Sequence, residues 1–292
     1  MKLYNGQAAR ALTFPPEVYK SLRVPEGKMK KTIILMGFAI ALLTLAGISF
    51  GQTAAEHIQA GDGYYAGFDD QKALEEYLAA VQLEVSNYEA LWKTARAYVD
   101  TADLVDSAGK DAKETRKKMY ATAVTYARKA IAVNPNDTWG HFCLSAAMGK
   151  KALLQGKKDQ IDASKVIKVE IDKAIELDAS NDLAYHALGR WHRRMAEIGG
   201  AKRALGSLFY GSIPKGSFTE SEKLFLKAIE LHPGYVNHHY ELGLTYEALE
   251  KFDLAAAEFQ KAIDLPVSSS KDKGLKENAR IELEKVSKKK KP

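Results

Sequence analysis

The sequence predicts an all-α solenoid of about five helical-hairpin units closed by a C-terminal helix, and three observations carry that reading. The chain lacks alternating apolar runs flanked by turn residues, so strands are not expected. It holds several Ala-rich stretches whose apolar residues recur with the 3.6-residue helical period. These stretches also resemble one another in two alternating types, the mark of a repeat array.

Taken in order, the first helix type occupies residues 60–70, 90–100, 140–150, 184–194 and 239–249. Each is followed by the second type, at 73–87, 123–137, 166–182, 221–235 and 255–269. The unit at 54–87 carries Gly61 and Tyr64, then Ala73, Tyr77 and Ala80. The unit at 236–269 carries Leu242, Gly243 and Tyr246, then Ala255, Phe259 and Ala262. Gly or Ala at these sites lets two helix axes approach, while the aromatics fill the gap that remains. The late small residues Ala80, Ala130, Ala174, Ala228 and Ala262 are spaced by 50, 44, 54 and 34 residues. Against a 34-residue unit, the excess is 16, 10, 20 and 0 residues, placed between the two helices of a unit. A solenoid accepts such insertions as longer helices or as bulges at the corner. A final helix at about 272–288 is expected to cap the last unit.

These units resemble the tetratricopeptide repeat, a 34-residue helix–turn–helix module, which implies a right-handed superhelix with a concave groove lined by the first helix of each unit. A narrower resemblance rests on Leu188 to Trp191, Lys202-Arg203, Phe209 to Pro214 and Ala228 to Pro233. Residues 184–249 are similar to the regulator of microtubule dynamics family, and 54–265 more loosely so. That resemblance implies the fold and the groove. The microtubule association described for eukaryotic members is not carried over, because the leader resembles a bacterial export signal.

That leader is residues 29–51: Lys30-Lys31, an apolar core from Thr32 to Ile48, and small residues at Ser49 and Gly51. It reads as a secretory signal cut before Gln52, or alternatively as a membrane anchor, and either exports the body to the periplasm or beyond. Residues 1–28 are expected to be unstructured: either they precede a true start at Met29, or they form a cytoplasmic tail on an anchored protein. The pI near 9.0 comes from the two ends. Without Lys288 to Lys291, residues 52–292 hold 32 bases against 35 acids, so no basic face for nucleic acid is expected. The Lys288–Lys291 run reads as a solvated tail, with contact to anionic lipid as the alternative.

Along the first-type helices, the inward positions are Ile58, Asp62 and Tyr65; Trp92, Arg96 and Val99; Trp139, Phe142 and Ala146; His186, Arg190 and Arg193; and Asn237, Tyr240, Leu244 and Glu247. From these, Trp92, Arg96, Trp139, Phe142, His186, Arg190, Arg193 and Tyr240 are the candidate partner-binding residues. Aromatics beside arginine dominate binding hot spots, and arginine can hold a carboxylate in two parallel hydrogen bonds. The competing reading is that the insertions bury these aromatics as ordinary core. The expected function is non-catalytic: a partner peptide or protein held in the groove, or alternatively a lipid-like amphiphile. Ile58 and Asp62 stand where chaperone-binding repeats place the Lys and Asn of a carboxylate clamp, so that clamp is not expected. No hydrolase, metalloprotease or phosphate-loop motif occurs. His232, His238 and His239 form the one histidine cluster, but the pair lacks the helical spacing of metal ligands and no metal or cofactor is expected. Cys143, the single cysteine, reads as a small core residue.

Overall fold

The computed structural model describes residues 52–106 and 108–289, so the leader at 29–51, residues 1–28 and the last three residues of the tail lie outside the described part. The described residues form twelve helices and no strand. Five antiparallel hairpins follow one another: α1 (Ala54–Ala66) with α2 (Asp70–Leu83), α3 (Tyr88–Asp103) with α4 (Ala112–Val133), and α5 (Thr138–Ala152) with α6 (Lys157–Leu177). The fourth pairs α7 (Asp182–Glu197) with α9 (Phe218–Leu231), and between them stands an additional helix, α8 (Gly200–Tyr210). The fifth pairs α10 (Val236–Ala248) with α11 (Phe252–Asp264), and α12 (Asp272–Lys289) packs on α11 as the capping helix. The chain is a tetratricopeptide-type α-solenoid.

Local chemistry sets where these helices start. Thr53 and Glu56 form a reciprocal capping box on α1: the Thr53 hydroxyl accepts from the Glu56 amide, and the Glu56 carboxylate accepts from the Thr53 amide. Asn87, Asp137 and Asn181 cap α3, α5 and α7 by accepting a backbone N–H of the first turn. Two insertions lengthen helices, giving 22 residues in α4 and 21 in α6. The third folds as α8 and leaves the array, bounded by Gly199 and Gly211 at φ of 67° and 73°, where an L side chain would be strained.

Inside each hairpin, one pair of positions sets the helix separation. A Cβ added at Gly61 would lie 2.5 Å from the Tyr77 ring, one at Gly243 2.5 Å from the Phe259 ring, and one at Gly189 3.0 Å from the Phe225 ring. The equivalent places in the second and third hairpins hold Ala95 with Ala127 and Ser145 with Ile171. Where the first helix has no side chain the second supplies a ring, and where the first has one the second is aliphatic. All of these positions are buried.

Neighbouring hairpins are joined by side chains. The Tyr88 hydroxyl donates to Asp137 (2.6 Å) and accepts from the Gly140 amide (3.1 Å), tying the second unit to the third. Thr138 donates to the Ala174 carbonyl and accepts from Asn181, tying the third to the fourth. His141 and His239 repeat one arrangement: one ring nitrogen faces a glutamate, Glu170 or Glu258, and the other faces the carbonyl of Pro135 or Pro233.

Candidate functional site

The concave side holds a cleft of about 1090 Å³. The first-type helices supply its floor through Tyr65, Arg96, Val99, Phe142, Ala146, His186, Arg190 and Asn237, all at the inward register positions. One wall is aliphatic, from Ile161, Ile167 and Ile171 of α6. Another is α8, which contributes Lys202, Leu205, Gly206, Phe209 and Tyr210, with Ile213 of the linker that follows seated over Gly206. Helix α8 has no buried residue, and Leu205 and Phe209 are 61% and 73% exposed. Arg203 anchors it by donating to the carbonyls of Pro214 and Met195.

The cations of the cleft are held in different ways. Glu241, buried on α10, pairs with Arg190 (Nε to Oε1, 3.0 Å) and with Arg193. Burial pushes the Glu241 carboxyl up, but the two guanidinium groups overcome it and keep the group below its ordinary value. Arg193 also pairs with Glu197 at 3.0 Å and is buried outside the cleft. Arg194 does line the cleft, and its side chain is 49% exposed. Arg96 lies over the Tyr65 ring, 4.0 Å from its centroid. His186 is pushed well below its ordinary value by burial, then by His238, Arg190 and Arg193, so it faces the cleft as a neutral ring.

The remaining sequence-predicted residues belong mostly to the packing between helices. Trp92 and Trp139 stack on each other with centroids 4.8 Å apart, and Phe142 meets Trp139 edge-on at 5.9 Å. Of these three only Phe142 reaches the cleft; the tryptophan stack is the joint between α3 and α5. Tyr240 packs toward Phe259 in the core of the last hairpin, and Asp62 is taken up by Lys93 and Tyr77. Cys143 is buried, with its thiol pushed up to about 12 by desolvation.

Sequence reasoning missed the far wall. The segment between α11 and α12 crosses to the first two hairpins: Ser270 donates to Asp70 (2.5 Å), and Lys271 to Asp100 (2.5 Å) and Asp103 (3.1 Å). Lys150 reaches the same Asp103 at 2.5 Å, and Tyr120 donates to it at 2.6 Å. Ser269, Lys271 and Leu275 thereby line the cleft as well. The only hint in the sequence is Ser268-Ser269-Ser270-Lys271 before a helix; nothing local ties it to aspartates some 170–200 residues away.

A pH dependence follows. Burial would raise the Asp103 carboxyl, but Lys271 and Lys150 bring it down to about 2. A carboxyl lowered on folding stabilises the fold above its unfolded value of 3.8 and loses that contribution as pH falls toward 2. The loss should be about 2 kcal/mol. Urea melts at pH 5 and pH 2.5 check this, with the drop expected to shrink in Asp103→Asn.

Comparison with known proteins agrees with this architecture. A solved thermophilic tetratricopeptide-repeat protein of Thermus thermophilus superposes with a TM-score of 0.57 at 15% identity, covering 80% of this chain and 98% of that one, which shows the fold alone. The chain is 27% identical over 225 residues to regulator of microtubule dynamics protein 1 of Bos taurus, covering 77% of this chain and 69% of the relative. It is 28% identical over 201 residues to regulator of microtubule dynamics protein 2 of the same species, covering 68% and 47%. The model of regulator of microtubule dynamics protein 1-3 matches residues 57–287, most of the described chain, and the protein therefore belongs to that family.

Proposed function

We propose that this protein is a non-catalytic interaction module whose cleft holds a segment of a partner protein. The supporting observation is the cleft itself: an aliphatic wall and Phe142 on one side, Arg194 and Lys202 at the rim, and the apolar side chains of α8 standing uncovered beside it. An apolar anchor would be desolvated against Phe142 and Ile171, and an acidic neighbour would meet Arg194, whose half-exposed side chain lies 3.9 Å from its partner Glu197. The relatives named for microtubule dynamics support the fold and the groove, and tubulin is not taken as the partner. It also keeps residues 29–51 as an export signal, so sequencing of the exported protein should begin at Gln52.

Panning a random peptide display library against the purified protein tests the reading. Enriched peptides should pair a large apolar residue with a nearby acid, and Arg194→Glu or Phe209→Asp should weaken their binding at least about 10-fold, equivalent to about 1.4 kcal/mol. Failure to enrich any peptide, or binding indifferent to both changes, would sink it. A stoichiometric lipid carried through native mass spectrometry would favour the amphiphile alternative instead.

A further inference from the structure

We propose that Asp182, His232 and His238 form a binding site for a divalent transition-metal cation of the Zn²⁺ type at the joint between the fourth and fifth hairpins. One ligand atom from each residue lies within 4.8 Å of the other two. Asp182 Oδ2 is 2.9 Å from His238 Nε2 and 3.3 Å from His232 Nδ1. Bonds of 2.0–2.1 Å in a tetrahedral site put ligand atoms about 3.3 Å apart, so these side chains need only small adjustments to enclose an ion. Two imidazoles and a carboxylate are a donor set that suits Zn²⁺ and its neighbours better than Ca²⁺ or Mg²⁺.

Each ligand is placed by a helix end. Asp182 is the first residue of α7, held by the Asn181 cap. His232 terminates α9, with the Tyr235 ring stacked on it at 5.5 Å. His238 sits near the start of α10 and is fully buried. Its other ring nitrogen lies 2.9 Å from His186 Nδ1, and the far nitrogen of His186 is 3.4 Å from the Asn237 amide. That amide can turn either its oxygen or its nitrogen toward His186. The row can therefore run with His238 donating from Nδ1, which leaves the Nε2 lone pair free toward Asp182. A metal-bound histidine ordinarily gives its second N–H to such an outer partner. Side-chain exposure rises from 0% at His238 through 20% at Asp182 to 52% at His232, so an ion enters from solvent and keeps an open side for water or a partner's ligand.

The other close histidine–carboxylate pairs among the described residues, His57–Glu76, His141–Glu170 and His239–Glu258, join two residues each and gather no third ligand. The sequence expectation of no metal is revised on this ground. The third ligand comes from 50 to 56 residues upstream, across a hairpin joint, and helical spacing of histidines could not reveal it.

The ordinary alternative is that both histidines simply donate hydrogens to Asp182, and metal titration separates the two. Zn²⁺ added to the purified chain against a chromophoric chelator should bind at one equivalent, and Co²⁺ should give the visible absorption of a four- or five-coordinate ion. His232→Ala, at an exposed position, and Asp182→Asn should each weaken Zn²⁺ at least about 100-fold with helix content unchanged, while His57→Gln leaves it as it was. No binding at tens of micromolar Zn²⁺, or binding undiminished in both variants, would overturn the proposal.

Discussion

Lys271→Met should lower the stability of the fold by about 2 kcal/mol, below the range for removing one partner of a fully buried ion pair, because the Lys271 side chain is itself 33% exposed. The change removes the cation that answers Asp100 and Asp103, whose side chains are only 10% and 9% exposed. Burial by itself would lower the Lys271 ammonium, yet the two aspartates hold it well above its ordinary value. A lysine raised on folding stabilises at every pH below its unfolded value of 10.5 and loses that contribution only in stronger alkali. Lys150 remains on Asp103 at 2.5 Å, which limits the loss further. Chemical denaturation at pH 7 measures it. Asp100→Asn in the Lys271→Met background should recover part of the loss, because it removes the charge left uncompensated. If Lys271→Met melts like the parent, the Lys271 ion pairs contribute nothing to the fold.

Gly243→Ala should cost about 3 kcal/mol, at the high end for overpacking a core by one methyl. Its Cβ would fall 2.5 Å from Cε1 and 2.7 Å from Cδ1 of Phe259, a ring with no exposed surface. The methyl must therefore push α10 from α11, loosening the hairpin on which the capping helix rests. Phe259→Leu alone removes buried surface and destabilises as well. The double variant should nevertheless be more stable than the two single losses summed, because the smaller side chain gives the methyl its space. Strict additivity would show that the contact is not what fixes the helix separation.

The exchange of volume between paired positions is why so much of the fold was legible. Gly61 with Tyr77 and Gly243 with Phe259 stand at the register of a 34-residue unit, and that register marks inward positions that now line the cleft, Arg96, Phe142 and Arg190 among them. Legibility ended where a side chain's neighbour belongs to another unit. Helical period puts Trp92 and Trp139 on the inner face, but only the packing of α3 against α5 shows that each covers the other. Arg193 has the spacing of a groove residue, yet Glu241, 48 positions later, buries it. Residues 200–210 read as an insertion, and nothing in their composition announced a separate helix with apolar side chains left in solvent.

The crossing segment changes how this array should come apart. In an open solenoid each unit touches only its neighbours, so the end units fray first and protection of backbone amides rises toward the middle. Here Ser270 and Lys271 fasten the last turn to Asp70 and Asp100 near the first, which gives a linear chain of units a circular neighbour relation. Opening either end then requires breaking the fastener before any unit is released. Amide exchange in α2 and α3 should accordingly be nearly as slow as in α5, and should accelerate at both ends together once Lys271 is replaced. Such a ring also makes closure a late, long-range event in folding, since its contacts join residues some 170–200 apart in sequence.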